Sequence, residues 1–306
     1  MVKGIERSSF RSKLSDWSEA FYCTAMLLPY GLLFSALIFI PSMISVLLSF
    51  TYFNMVAFPT WRGLQNYVAI LTQDTVFFQH VLPNTLFFSV MTGPGGFVIH
   101  FFMAWLLAQI QALPRAILTL CVFAPSLGAG LGMIWGILLD GHQYAWLNNW
   151  LMNLGLIDAP RQWWNEPDYI MTLGIIITLW GSLGIGFLAM LAGILNVNEE
   201  IYEAAYLDGI KNRFQEIIYV TIPQTMPMML FSAILAIGGS FNGGGVMAAN
   251  AGNPPPDYAG SVITSHIADF GGRMEHGYQA ALAVVLFSIV WVFAKVAFLL
   301  FGGSED

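Results

Sequence analysis

Hydrophobic positions follow one another in long blocks along this chain, and charged residues interrupt them only at intervals. Asp, Glu, Lys and Arg are absent from six separate windows. A bilayer core about 30 Å thick needs about 20 apolar residues in a helix, so each window can hold one membrane-spanning helix. The windows are residues 20–61, 75–114, 116–139, 169–198, 217–256 and 276–294.

Polar and helix-breaking residues divide the longer windows into helices and connections. Leu82-Pro83-Asn84 is typical of a helix start, and the glycines after Asn242 indicate a helix end. The pattern predicts an all-α membrane protein with one transmembrane domain over residues 1–306. Its six transmembrane helices are predicted at about residues 24–51, 82–111, 115–139, 169–196, 226–245 and 278–301.

Composition and charge exclude several functional classes and orient the helices. Of the 306 residues, 57% are hydrophobic and 9% charged, against about 25% charged in a soluble domain. Because the net charge is −7, nucleic-acid binding is excluded. Basic residues favour cytoplasmic loops, so the N-terminal segment 1–23, the loop 197–225 and the C-terminus are predicted to be cytoplasmic. This orientation places eight basic residues on the cytoplasmic side of the membrane: Lys3, Arg7, Arg11, Lys13, Arg115, Lys211, Arg213 and Lys295.

The predicted cytoplasmic loop contains the densest cluster of charges and the clearest local pattern. Asn198 before Glu199-Glu200 is a helix cap followed by acidic residues in the first turn. A short helix is predicted over about 199–207, with a turn at Asp208-Gly209, where glycine can adopt positive φ. An amphipathic stretch follows and is predicted to end at Pro223. A solvated connector lying on the bilayer would also explain this composition.

The order of residues in this loop resembles the EAA loop of binding-protein-dependent ABC importer permeases. The matching residues are Glu203, Ala204, Ala205, Asp208, Gly209 and Pro223, and the interval from Gly209 to Pro223 is one residue longer than usual. The resemblance implies the type I ABC importer permease fold and a coupling helix that contacts an ATP-binding subunit. Glu203 would be the acidic contact and Gly209 the required bend.

Further resemblance extends over most of the chain and favours the sugar-type permeases related to the larger maltose-transporter membrane subunit. It rests on Leu28-Pro29, Gly63-Leu64-Gln65-Asn66-Tyr67, Asn84-Thr85 and the stretch 277–284. The resemblance implies a bacterial or archaeal cytoplasmic membrane protein that pairs with a second, related permease subunit. Two ATP-binding cassette subunits, which carry ATP and Mg, and an extracytoplasmic solute-binding protein complete the expected assembly. This chain itself is expected to bind no cofactor and no metal.

Polar side chains at membrane depth are candidates for the substrate path. Sugar recognition uses aromatic faces and hydrogen-bonding groups, so Trp180, Ser240 and Asn242 are the first candidates. His100 and Ser126 are better explained by hydrogen bonds between helices. Gly93-Pro94-Gly95-Gly96 and Pro125 predict interruptions in the second and third helices, and broken helices often line a cavity.

Three alternatives to a sugar permease differ in what the sequence should contain. An intramembrane enzyme would need a motif such as HExxH or GxSxG, and neither occurs. An ion-coupled carrier would need acidic residues within the helices, whereas all eighteen Asp and Glu fall in loops, helix ends or tails. A permease for another polar solute, such as glycerol phosphate, stays open. A GxxxxGK[ST] motif is also missing, so the chain is expected to be non-catalytic, with ATP hydrolysed by its partner.

Overall fold

A computed structural model describes residues 21, 22, 24–128 and 131–301, without the side chains of residues 131, 300 and 301. The basic residues Lys3, Arg7, Arg11 and Lys13, which support the predicted orientation, lie outside the described residues. The described chain consists of helices and one small antiparallel hairpin, in which Thr51 pairs with Trp61.

The bounds of these elements follow the chain from the first helix to the last. They are α1 (Thr24–Leu48), β1 (Thr51–Tyr52), β2 (Thr60–Trp61), α2 (Gln65–Thr72), α3 (Phe77–Ala108), α4 (Ala112–Phe123), α5 (Leu131–Leu138), α6 (Trp146–Asn153), α7 (Pro167–Gly181), α8 (Ile185–Leu195), α9 (Glu199–Leu207), α10 (from Arg213 through Ser240), α11 (Gly244–Ala251), α12 (Ile263–Gly272) and α13 (His276–Phe301).

Four helices of the described chain are long and apolar enough to cross a membrane: α1, α3, the segment Arg213–Ala251 and α13. Two further pairs of helices qualify only when each pair is taken as one bent span. The axes of α4 and α5 differ by 93°, and those of α7 and α8 by 45°. The structure thus contains four to six candidate spans, at the positions where the hydrophobic pattern predicts helices.

Three spans contain a π turn that ends two residues before a proline, and two of these turns extend a helix past its predicted boundary. The turns are Ser35–Phe39 before Pro41, Phe77–Val81 before Pro83 and Ile217–Thr221 before Pro223. In each, the residue preceding the proline donates its N–H to the carbonyl five residues earlier. The helix therefore continues through the proline, which lacks an N–H of its own.

The α-helix predicted from about residue 82 begins at Leu82, but the π turn extends it towards the N-terminus, and the predicted start at about 226 and the predicted end at Pro223 are wrong. The second span begins at Phe77 and the fifth at Arg213. A π turn contains more residues per turn than an α-helix. The long interval from Gly209 to Pro223 is therefore compatible with a continuous helix.

The predicted interruption at Gly93-Pro94-Gly95-Gly96 is also wrong, because α3 runs through this segment. These glycines instead allow close packing. A Cβ atom on Gly93 would lie 3.4 Å from Ser240 Oγ, and one on Gly96 would lie 3.5 Å from Ser182 Oγ. At Pro125 the predicted interruption is confirmed, since α4 changes there into a 3-10 turn, Ala124–Leu127.

The centre of the molecule is a three-helix core formed by α3, α8 and α10. Apolar side chains from all three helices meet in one buried cluster, and further contacts with α13 close the other side of α10. The cluster comprises Phe101, Ala104, Leu107, Leu183, Phe187, Met190, Leu191, Ile194, Ile217 and Met229. Movement of α10 is therefore tied to α3 and α8 by packing.

A buried carboxylate joins three segments at the N-terminal end of α3. Asp74 Oδ1 accepts the backbone N–H of Phe77 at 2.9 Å and so caps the helix. Asp74 Oδ2 lies 2.8 Å from His266 Nε2 on α12 and accepts the hydroxyl of Tyr278 on α13 at 2.8 Å. Burial opposes ionisation of Asp74, but the hydrogen bonds from His266, Phe77 and Tyr278 outweigh it and lower the pKa of Asp74 below 3.8.

We expect the Asp74→Asn variant to have a lower unfolding temperature in detergent at pH 7. A hydrogen bond to a charged group contributes about 1.5–3 kcal/mol. Since the pKa of Asp74 is lowered in the folded state, the stabilisation is present above pH 3.8 and is lost as the pH falls through the folded pKa. Unfolding temperatures of the two proteins should converge towards acid pH. An Asp74→Asn variant as stable as the wild type at pH 7 would contradict this role.

Candidate functional site

The loop 199–222 has the helix, glycine turn and helix that the sequence predicts. Helix α9 covers residues 199–207, and the side chain of Asn198 accepts the backbone N–H of Glu200 at 3.2 Å. Gly209 has φ of +100°, a conformation that favours glycine. These local signals therefore predict both the helix and its end correctly.

Most of α9 is open to solvent. None of its residues is buried; Glu203, Ala204 and Asp208 are exposed, and Ala205 is half-buried. Leu207, on the last turn, is 89% exposed. Pro223 lies apart from this surface, on the exposed side of the continuous helix α10. The structure thus brings five of the six predicted coupling residues together on α9 and its turn.

An ionic cluster between α9 and α10, in which only Glu216 is buried, was not predicted from the sequence. The carboxylate of Glu216 accepts hydrogen bonds from Arg213 Nη1 at 3.0 and 2.8 Å and from the hydroxyl of Tyr206 at 2.5 Å. The hydrogen bond to Glu216 also raises the pKa of Tyr206 above 10.0. The sequence did contain one signal for this cluster, because Glu216 follows Arg213 by three positions and directly precedes the charge-free window 217–256.

A cavity of about 470 Å³ lies between α3, the end of α4, the break between α7 and α8, and α10. Its lining combines small and apolar residues with hydroxyl groups and one imidazole, and none of the lining residues is Asp, Glu, Lys or Arg. The polar lining residues are Thr92, His100, Ser126, Thr178, Ser182 and Ser240. Thr92 and Thr178 were not among the predicted candidates.

Four of these hydroxyl groups donate to a carbonyl of their own segment. Thr92 donates to the carbonyl of Phe88, and Ser126 donates to that of Phe123, each at 2.7 Å. Ser182 donates to the carbonyl of Leu179 at 2.8 Å, and Ser240 donates to that of Ile237 at 2.7 Å. A hydroxyl that uses its proton in this way still has oxygen lone pairs to accept a further bond. The buried hydroxyl of Thr178 has no partner among the described residues. The lining therefore offers mainly hydrogen-bond acceptors.

In the cavity lining, His100 connects α3 with α10 and with the break between α7 and α8. Its Nε2 donates to the carbonyl of Ser182 at 2.8 Å, and its Nδ1 lies 3.1 Å from Ser232 Oγ on α10. Because a carbonyl only accepts, the neutral ring accepts the Ser232 hydroxyl at Nδ1. The predicted interhelical role is thus confirmed for His100, whereas Ser126 bonds within its own segment.

Of the three predicted substrate-path residues, the structure places one in the lining. Ser240 lies in the cavity wall. Trp180 is 41% exposed and contacts the ring of Trp135 edge to face, with centroids 5.5 Å apart. Asn242 is exposed at the end of α10 and donates to the carbonyl of Gly238 at 3.1 Å. Trp180 and Asn242 are therefore neighbours of lining residues in sequence but lie outside the lining.

Known proteins resemble this chain over the α9 loop and most of the cavity lining. The family model described as binding-protein-dependent transport system inner membrane component matches residues 94–302, which include the loop and every lining residue named above except Thr92. The chain is 27% identical to the arabinooligosaccharides transport system permease protein AraP of Bacillus subtilis, over 96% of this chain and 94% of the relative. It is 28% identical to the lactose transport system permease protein LacF of Rhizobium radiobacter, over 77% and 78%.

Solved structures with the same fold cover nearly the whole chain. One is the crystal structure of a bacterial ABC transporter involved in the import of the acidic polysaccharide alginate. The TM-score is 0.78 at 20% identity, over 96% of this chain and 99% of that one. A second structure, of the alginate ABC transporter with an alginate pentasaccharide-bound periplasmic protein, gives 0.76 at 21% identity, over 92% and 94%.

Proposed function

Because the chain belongs to the family of binding-protein-dependent transport system inner membrane components, we propose that it is a permease subunit of an ATP-driven ABC importer. It forms part of the path for a sugar or oligosaccharide that an extracytoplasmic solute-binding protein delivers. The family match across both the α9 loop and the cavity carries this proposal. The names of the relatives support the sugar class, since they include arabinooligosaccharide, lactose and diacetylchitobiose systems.

The complete transporter contains this chain, a second related permease subunit and two ATP-binding cassette subunits, in a bacterial or archaeal cytoplasmic membrane. This chain crosses the membrane six times, with each bent pair of helices as one span and both termini in the cytoplasm. ATP and Mg are bound by the cassette subunits and not by this chain. The exposed helix α9, with the acidic side chain of Glu203, supports docking into a cleft that carries a basic residue.

ATP binding closes the cassette dimer and moves the loop 199–222 as a unit. The movement passes to α10 and converts the transmembrane helices from an inward-open to an outward-open arrangement. The binding protein then releases sugar into the cavity. Packing of α10 against α3 and α8 supports this sequence, because the cavity lies between these same helices.

The cavity chemistry favours an uncharged sugar over a phosphorylated solute. Sugar hydroxyl groups donate hydrogen bonds, and the lining hydroxyl groups of Thr92, Ser126, Ser182 and Ser240 are available to accept them. An anion such as glycerol phosphate needs donors or a basic side chain, and the described lining has no Lys or Arg. Trp180, near the end of α7, and Asn242, just after the end of α10, extend the path beyond the cavity.

Uptake by the reconstituted transporter tests the proposal. The chain is combined in proteoliposomes with the second permease, cassette subunits and binding protein encoded beside it. We expect ATP-dependent accumulation of at least one of arabinotriose, lactose and diacetylchitobiose, and none of glycerol 3-phosphate. Accumulation of glycerol 3-phosphate alone would refute the sugar class, and uptake that needs no ATP would refute the importer.

A further inference from the structure

Few contacts fix the orientation of α9 relative to the rest of the molecule. The helix has nine residues and buries none of them, so no apolar core holds it. Tyr202 and Tyr206 are four residues apart and share one face of α9. Their hydroxyl groups reach the start of α10, where they contact Thr221 and Glu216. In the described chain, the side-chain hydrogen bonds that join α9 to α10 all involve these two tyrosine hydroxyl groups.

The contact of Tyr206 is the stronger of the two. The Glu216 side chain is only 6% exposed, and its charge is balanced by Arg213, one helical turn earlier. Tyr206 Oη is 2.5 Å from Glu216 Oε2, whereas Tyr202 Oη is 3.3 Å from Thr221 Oγ1. A hydrogen bond to an ionised acceptor is about twice as strong as one between neutral groups. Removal of the Tyr206 hydroxyl would also leave a buried carboxylate with one partner fewer.

Glu216 lies on the same continuous helix as the cavity residues. Beyond Glu216, α10 continues to Ser232, which bonds His100, and to Ser240 in the cavity wall. Any displacement of α9 that keeps the Tyr206–Glu216 bond intact must move the start of α10. The bond thus connects the exposed docking helix with the helix that lines the cavity.

We propose that Glu216, held by Arg213 and bonded to Tyr206, is a positioning residue that anchors α9 to α10 and so couples ATP hydrolysis to sugar movement. The proposal rests on the proposed function for its coupling role. The anchoring role depends only on this chain. Glu216 sets the orientation of α9 and takes no part in contacts with ATP or sugar.

Hydrogen–deuterium exchange of the full-length chain in lipid nanodiscs tests the anchor directly. In Tyr206→Phe and in Glu216→Gln, amide exchange over residues 199–207 should increase about tenfold, because a hydrogen bond to a charged group is lost. Tyr219→Phe is the matched control, since the Tyr219 side chain is 69% exposed and its hydroxyl group has no hydrogen-bond partner among the described residues. Exchange over 199–207 that is equal in all three variants would overturn the anchor.

The reconstituted transporter tests the coupling. With lactose and arabinotriose as probes, the number of sugars transported per ATP hydrolysed should fall at least about threefold in Tyr206→Phe and Glu216→Gln. It should stay at the wild-type value in Tyr219→Phe. A purely structural role would lower assembly or lower both rates equally, so an unchanged ratio would overturn the coupling role. Wild-type transporter without uptake of any sugar would instead refute the proposed function, while the exchange result would still decide the anchor.

Discussion

Replacement of Gly209 by proline should abolish ATP-driven uptake while the chain still inserts into the membrane. Gly209 has φ of +100°, and proline fixes φ near −65°. Gly209 also donates its N–H to the carbonyl of Tyr206, and proline has no N–H. A strain of about 1.4 kcal/mol already lowers the population of the native turn tenfold, and proline should cost more. Uptake and ATP hydrolysis in proteoliposomes measure the effect.

Two further variants separate backbone strain from loss of contact at this turn. Gly209→Asn should keep a substantial fraction of uptake, because asparagine tolerates positive φ better than other residues with a side chain. Glu203→Lys leaves the turn intact but reverses the charge expected to face the cassette subunit, so it should also uncouple hydrolysis from uptake. Wild-type uptake by the double variant Gly209→Pro/Glu203→Lys would exclude a coupling role for this loop.

Replacement of Gly186 by valine should lower both uptake and the unfolding temperature. A Cβ atom at Gly186 would lie 2.9 Å from Ser232 Oγ and 3.2 Å from His100 Nδ1, so valine forces apart the contact between α8 and α10. Overpacking of this kind costs about 1–3 kcal/mol. Because Gly186 and His100 both line the cavity, the larger side chain also changes the cavity wall. Thermal unfolding in detergent and uptake in proteoliposomes measure the two effects.

Gly238→Ala is the matched control for the Gly186 variant. Gly238 lies on α10 near the same cavity, but a Cβ atom there would have no neighbour within 4 Å. This control should keep wild-type stability and uptake, and the alanine should favour the helix slightly. Equal losses in the two variants would show that the helices tolerate an added side chain at neither position. The contact between His100 and Ser232 would then have no special role.

Local sequence signals predicted the bounds of helix α9 and the turn that ends it. Asn198, the acidic first turn and Gly209 act within a few residues of one another, so their effect does not depend on the rest of the fold. The prolines misled the prediction, because Pro83 and Pro223 are typical of helix starts or ends. The structure keeps both helices continuous with π turns.

The pairs that hold the fold and the cavity together lie far apart in the sequence. His100 and Ser232 are separated by 132 positions, and Asp74 and Tyr278 by 204. Hydrophobic periodicity indicates which helices are apolar but not which faces meet. His100 was expected to bond another helix because a polar group at membrane depth needs a partner, but the partner itself depends on packing.

The absence of fixed charge from the described cavity lining also has an energetic consequence. A charge that crosses a membrane gains or loses about 2.3 kcal/mol per 100 mV of membrane potential. An uncharged sugar that moves past Thr92, Ser182 and Ser240 carries no such charge, and these hydroxyl groups add none. The membrane potential would therefore do no work on the sugar itself. In the proposed importer, the energy for uptake against a concentration gradient would come from ATP at the cassette subunits.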